Sequence, residues 1–173
     1  DNGDNTICYG TSVTFTANGA ATYEFFVDGT SQGPASATNT FTTTTLTNGQ
    51  TIRVDGISNS CLVSQQQTFT VLVNPTVNLF SNDTDNTICD GDPITFTGTN
   101  ASQYEFFING VSVQGPSTTT TLVNPSIPVS AINPVYVIGT ASNGCTNTSS
   151  TINVVVNPIP TITLTSNDAD NII

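Results

Sequence analysis

The chain contains no Lys, His, Met or Trp, and Arg53 is its single cation among 173 residues. Twelve Asp and Glu set the formal net charge at −11. One Arg cannot neutralise a run of phosphates, so nucleic acid and anionic membrane surfaces are excluded as expected partners. Without His there is no imidazole base and no imidazole metal ligand. Without Lys there is neither a Schiff base nor a Lys–Asn isopeptide crosslink. No stretch approaches the roughly 20 apolar residues of a membrane span. No basic segment followed by an apolar one opens the sequence, so a secretory signal is expected to have been removed or to lie elsewhere.

Charge is scarce altogether, at 8% of residues against a globular norm of about 25%. In its place stand 33 Thr and 20 Asn. Thr suits strands and Asn suits turns, so uncharged hydroxyls and amides act as the solubilising surface of a β protein. Disorder is not expected, because the apolar residues are β-branched or aromatic and alternate with polar ones.

The strongest feature is an internal repeat. Asp4-Asn5-Thr6-Ile7-Cys8 recurs as Asp85-Asn86-Thr87-Ile88-Cys89. Val13-Thr14-Phe15-Thr16 returns as Ile94-Thr95-Phe96-Thr97, and Tyr23-Glu24-Phe25-Phe26-Val27-Asp28-Gly29 as Tyr104-Glu105-Phe106-Phe107-Ile108-Asn109-Gly110. Ser58-Asn59-Ser60-Cys61 matches Ser142-Asn143-Gly144-Cys145, and Val71-Leu72-Val73-Asn74-Pro75 matches Val154-Val155-Val156-Asn157-Pro158. A third copy opens at Ser166-Asn167-Asp168, as Ser81-Asn82-Asp83 opens the second.

Each copy reads as short strands of period two. Asp28-Gly29 and Asn109-Gly110 are hairpin turns, and Asn-Pro ends each copy because Pro cannot donate to a ladder. The pattern predicts an all-β chain of two tandem immunoglobulin-like β-sandwich domains from a longer repeat array. The expected boundaries are 1–75 for a first repeat lacking its first strand, 76–158 for the second, and 159–173 for the first strand and following loop of a third. Thr76–Phe80 and Thr161–Thr165 read as first strands of the domains that follow them. The expected first core is Val13, Phe15, Tyr23, Phe25, Ile52, Val54, Phe69 and Val71, with Arg53 outward. The expected second core is Ile94, Phe96, Tyr104, Phe106, Tyr136, Ile138, Ile152 and Val154.

Four cysteines stand two per repeat at matched positions. That placement predicts disulfides Cys8–Cys61 and Cys89–Cys145, each contributing roughly 4 kcal/mol by loop-closure entropy; four free thiols is the alternative. The spacing is not that of a zinc site. Disulfides imply export to an extracellular, cell-surface location.

Asp83, Asp85, Asp90 and Asp92 gather at the start of the second repeat. Asp1 and Asp4, and Asp168 and Asp170, stand at the starts of the other two. Two readings are open: hard oxygen ligands for Ca²⁺, the one cofactor candidate, or a solvated acidic turn closed by Asx hydrogen bonds. Tyr23–Phe26 and Tyr104–Phe107 are core by alternation, with Phe26 and Phe107 as a candidate sugar-stacking pair toward a surface polysaccharide. Glu24 and Glu105 fall in separate repeats, so they do not form the close carboxylate pair of a retaining glycosidase. No enzyme activity is expected.

The motif Asp-Asn-Thr-Ile-Cys-x-Gly-x-x-[Val/Ile]-Thr-Phe-Thr, followed by Tyr-Glu-Phe-Phe-[Val/Ile]-[Asp/Asn]-Gly, Ser-Asn-x-Cys and Val-Asn-Pro, resembles the tandem repeats of giant Bacteroidota cell-surface adhesins. These are SprB-like gliding-motility adhesins carried by type IX secretion. The resemblance implies a secreted stalk or filament repeat serving adhesion or gliding motility, with neighbouring repeats or head-to-tail copies as partners. A carbohydrate-binding module and an accessory domain of a secreted enzyme are the alternatives.

Overall fold

In a computed structural model, the structure describes residues 5–124 and 126–167. The chain divides into two compact units. The first runs to Pro75 and includes Ser142–Cys145; the second takes Thr76–Ala141 and the chain from Thr146 onward. Among the described residues every element is a strand, and the strands form immunoglobulin-like sandwiches.

Among its described residues the first unit has eight strands: β1 (Thr6–Cys8), β2 (Val13–Thr16), β3 (Thr22–Val27), β4 (Thr30–Ser31), β5 (Thr40–Thr43), β6 (Thr51–Ser58), β7 (Cys61–Thr68) and β8 (Thr70–Leu72). One sheet has the order β4–β3–β6–β7, and β2 pairs with β5. β1 runs parallel to β8, with Cys8 opposite Leu72. The β3–β4 turn is tight because Asp28 and Gly29 both take positive φ, 48° and 79°. Leu46, Ile52, Phe69 and Val71 form the core, with Ile7, Phe15, Val27 and Phe41 packed against it. Phe15 meets Phe69 edge-on at 5.2 Å and Phe41 at 6.1 Å.

The described residues of the second unit form nine: β9 (Asn78–Ser81), β10 (Thr87–Cys89), β11 (Ile94–Thr99), β12 (Gln103–Ile108), β13 (Val111–Ser117), β14 (Thr121–Asn124), β15 (Ser130–Thr140), β16 (Thr146–Thr148) and β17 (Ile152–Asn157). One sheet is β10–β17–β15–β12–β13 with β16 on β15; the other is β14–β11–β9. The parallel pair recurs as β10 with β17, Cys89 standing opposite Asn157.

The two cores differ in a way that matters below. Ile94, Phe96 and Val137 are fully enclosed in the second unit. Their counterparts Val13, Phe15 and Val54 are only half-buried. The difference is β9, which lies along β11 and buries Val77 and Leu79. In the first unit, β2 has β5 on one side and no strand on the other among the described residues.

One part of the expected core is overturned. Tyr136 and Ile138 lie on the outer face of β15, and Val135 and Val137 are the buried pair. The register explains this: Phe25 faces Val54 across β3–β6, and Phe106 faces Val137 across β12–β15. Val137 is therefore the counterpart of Val54, and Tyr136 that of outward-facing Arg53. A slip of one residue in aligning the repeats moves every side chain to the other face.

Candidate functional site

The acidic turn forms first from local hydrogen bonding. Asp83 Oδ1 accepts from the backbone N–H groups of Asp85 (3.2 Å) and Asn86 (2.7 Å), and Asp85 Oδ1 accepts from that of Thr87 (3.0 Å). Asp92 Oδ2 accepts from the Cys89 N–H at 3.2 Å. Asn86 takes φ 55°, which Asn tolerates better than most residues. The Asp83 carboxyl is held below its ordinary value, chiefly by hydrogen bonding with the Asp85 side chain and then by the backbone donors around it. The turn is thus closed by its own Asp side chains. Among the described residues, no three His, Cys, Asp or Glu side chains converge to hold a metal ion. Asp90 makes a backbone contact, its N–H to the Asn157 carbonyl at 2.8 Å. Asp1, Asp4, Asp168 and Asp170 lie outside the described residues.

The outer aromatics are covered. Arg53 lies 4.0 Å above the Phe26 ring, and Phe107 stacks on Tyr136 at 4.9 Å. Arg53 also pairs with Asp55 at 3.1 Å, and Asp55 is buried. Glu24 and Glu105 each accept a hydrogen bond from a serine across a hairpin, Ser31 and Ser112, both at 2.7 Å. These repeat-matched groups brace the sheet.

The cysteines correct a second expectation. Cys8 is bonded to Cys145, with Cα atoms 5.6 Å apart, and Cys61 and Cys89 are free, exposed thiols. Neither Cys8–Cys61 nor Cys89–Cys145 forms. Strand geometry explains why. Cys8 stands opposite Leu72, whereas Cys61 opens β7 at the far end of the β7–β8 run. Extended chain of that length spans roughly 35 Å at about 3.3 Å per residue. A disulfide needs Cα atoms within about 7 Å. In the second repeat Cys145 likewise lies twelve positions before Asn157, the residue opposite Cys89. Disulfides such as Cys8–Cys145 form and persist chiefly in oxidising compartments. No helix among the described residues is long and apolar enough to cross a membrane.

Two further features were not visible as sites in the sequence. A groove of about 490 Å³ opens beside β2, lined by Thr14, Phe15, Thr16 and Ala17 with Phe25 and Phe69 beneath. Separately, residues 158–167 form no strand. Ile162 is 91% exposed there and Leu164 100%.

Residues 2–75 match the family model described as Ig-like domain, CHU_C associated, a Bacteroidota-type Ig-like domain. No curated protein matches the chain. Among solved structures, the chain is similar to the fibronectin(III)-like modules of CbhA from Clostridium thermocellum. Identity is 13% and the TM-score 0.44, over 88% of this chain and 89% of that one. It is also similar to the amphioxus IgVJ-C2 molecule, at 16% identity and a TM-score of 0.38, over 87% and 99%. Sidekick-1 immunoglobulin domains 1–4 match at 15% and 0.37, over 91% of this chain and 46% of that one. Residues 2–75 are thus similar to a Bacteroidota-type Ig-like domain, and the second unit repeats the same strand pattern.

Proposed function

We propose that the chain is a structural repeat of a secreted cell-surface protein, a stalk or filament segment that serves adhesion or gliding motility. The observation that carries this reading is the tandem repetition of one sandwich, with a disulfide joining the strand cysteine of the first copy, Cys8, to the hairpin cysteine of the second, Cys145. A chain built from self-similar units adds length without adding new chemistry, which is what a stalk requires. The Thr- and Asn-rich surface and net charge of −11 keep such units soluble and mutually repelling. The Cys8–Cys145 bond favours an extracytoplasmic location.

An antibody raised against this chain, applied to intact cells of the source organism, tests the reading. Surface labelling lost after protease shaving is the expected result, with weakened surface attachment when the repeats are deleted. Labelling seen only in permeabilised cells would overturn it. Specific retention of the chain on a glycan array would transfer the assignment to carbohydrate binding.

A further inference from the structure

From the loop that carries Cys145 we infer that Asn143-Gly144 is a modification site: a dipeptide that deamidates once the Cys8–Cys145 bond is reduced, and that this bond otherwise protects.

Asn-Gly is the dipeptide best suited to deamidation, because glycine has no Cβ to block approach to its nitrogen. The chain holds four: Asn18-Gly19, Asn48-Gly49, Asn109-Gly110 and Asn143-Gly144. Two of them are locked by buried residues of a sandwich. Asn48 Oδ1 accepts from the Val71 N–H at 3.0 Å, and the Gly49 N–H, the attacking group, donates to the Phe69 carbonyl at 3.0 Å. Asn109 Nδ2 donates to Asn133 Oδ1 at 3.0 Å. Val71, Phe69 and Asn133 are all buried, so neither lock depends on a disulfide.

Asn143 is fastened in another way. Its Nδ2 donates to the Val73 carbonyl at 3.1 Å, and its Oδ1 accepts from the Cys145 N–H at 3.0 Å. Asn143 and Val73 are both exposed, so water competes for the first of these bonds. The disulfide is what keeps the two partners in place. Cys145 is bonded to Cys8, and Cys8 stands opposite Leu72, the neighbour of Val73. With both ends of its amide held, Asn143 cannot turn its Cγ toward the Gly144 nitrogen. A dithiol reductant lifts that constraint. The reductant is oxidised to its own disulfide, Cys8 and Cys145 take up its two protons, and the exposed bond to Val73 is left to hold the loop.

Comparison of the two copies points to the same loop. The match of Asn143-Gly144 is Asn59-Ser60. Ser60 takes φ 62° where Gly144 takes 85°, so the left-handed turn does not itself demand glycine. The labile dipeptide stands beside the bonded cysteine, Cys145, and not beside the free one, Cys61.

The reaction needs only water. The Gly144 nitrogen gives up its proton and attacks Cγ of Asn143. An N–Cγ bond forms, the Cγ–Nδ2 bond breaks, and Nδ2 leaves as ammonia with that proton. Water then opens the five-membered imide at either carbonyl, giving aspartate or isoaspartate. One water enters and one ammonia leaves. The step is one-way for the loop. The new carboxylate has no donor for the Val73 carbonyl and sets a negative charge against its oxygen, and isoaspartate also adds an atom to the main chain before Cys145.

Peptide mapping of the 173-residue chain, kept in mildly alkaline buffer with and without a dithiol, tests the protection. Deamidation at Asn143 should accelerate roughly tenfold or more on reduction, while Asn48 and Asn109 stay slow in both conditions. An equal rate at Asn143 with and without reductant would overturn the inference. So would acceleration of Asn48 and Asn109 by the same factor, since that assigns the protection to folding as a whole. Asn143→Asp, a substitution at an exposed loop residue, tests the one-way step. In a glutathione redox buffer its ratio of bonded to reduced Cys8–Cys145 should fall about tenfold below that of the native sequence. An unchanged ratio would overturn the inference as well. None of these outcomes bears on surface labelling of cells, so failure here and failure of the stalk reading are separable.

Discussion

Arg53 does three things at once: it pairs with buried Asp55, covers the Phe26 ring and marks the outer face of β6. Arg53→Ala leaves a buried carboxylate without its cation and removes a cation–π contact. A loss of about 2 kcal/mol is expected in denaturant unfolding, with most of it recovered when Asp55→Asn is added. An unchanged midpoint in the single variant would show that water already screens the pair. Asp83 lends itself to a second measurement. Its folded-state value lies below the ordinary 3.8, so its contribution to stability is present above that pH and is lost as pH falls through the lower value. NMR titration of its carboxyl carbon should give a midpoint below 3.8, and Asp85→Ala, which removes the hydrogen-bonding side chain, should raise it, since Asp85 is the leading cause of the shift. Face assignment was legible residue by residue wherever a polar side chain broke an apolar run. Ile52-Arg53-Val54 declares its outer face. Val135-Tyr136-Val137-Ile138 does not, because with Tyr in place of Arg either phase buries apolar atoms; only the pairing with Phe106 decides it.

Among strands, β9 shows how much one short edge element contributes. It encloses Ile94 and Phe96, and it buries Leu79. Leu79→Ala should cost about 2–5 kcal/mol in the second unit. Leu164→Ala, at the matched position of the third copy, should leave the melting of dilute single chains unchanged. Equal effects at the two sites would mean that 161–165 is packed in the single chain. The existence of β9 was legible because Val77 and Leu79 alternate with Thr76 and Asn78 after an Asn-Pro stop. The disulfide pairing was not, since one matched pair per repeat says nothing about which end of a sandwich each cysteine occupies. That information sits in the parallel β1–β8 register, a long-range pairing with no local sequence signal. The consequence is a direct count: under denaturing, non-reducing conditions alkylation should modify two thiols, Cys61 and Cys89, and peptide mapping should recover Cys8 linked to Cys145.

For the molecule as a whole, the Cys8–Cys145 bond matters most under load. It closes a loop with a sequence separation of 137, worth about 5 kcal/mol by the chain-entropy relation. Mechanically it also removes that loop from the force path. Tension applied at the two ends passes through Thr6–Cys8, across the disulfide, and out through Thr146–Thr148 and Ile152–Asn157. Every strand from β2 to β15 is shielded. At no more than about 3.6 Å per residue, the oxidised chain can lengthen to about 130 Å and the reduced chain to about 620 Å. Two disulfides each confined to one repeat would instead permit about 230 Å. Single-molecule pulling of the chain from its ends, with and without reductant, separates these cases. The short limit without reductant and the full length with it are expected. The intermediate length would restore pairing within each repeat, and the full length without reductant would remove the bond altogether. A chain whose stretch is capped in this way transmits tension through a few strands and one covalent bridge while its remaining sheets stay folded.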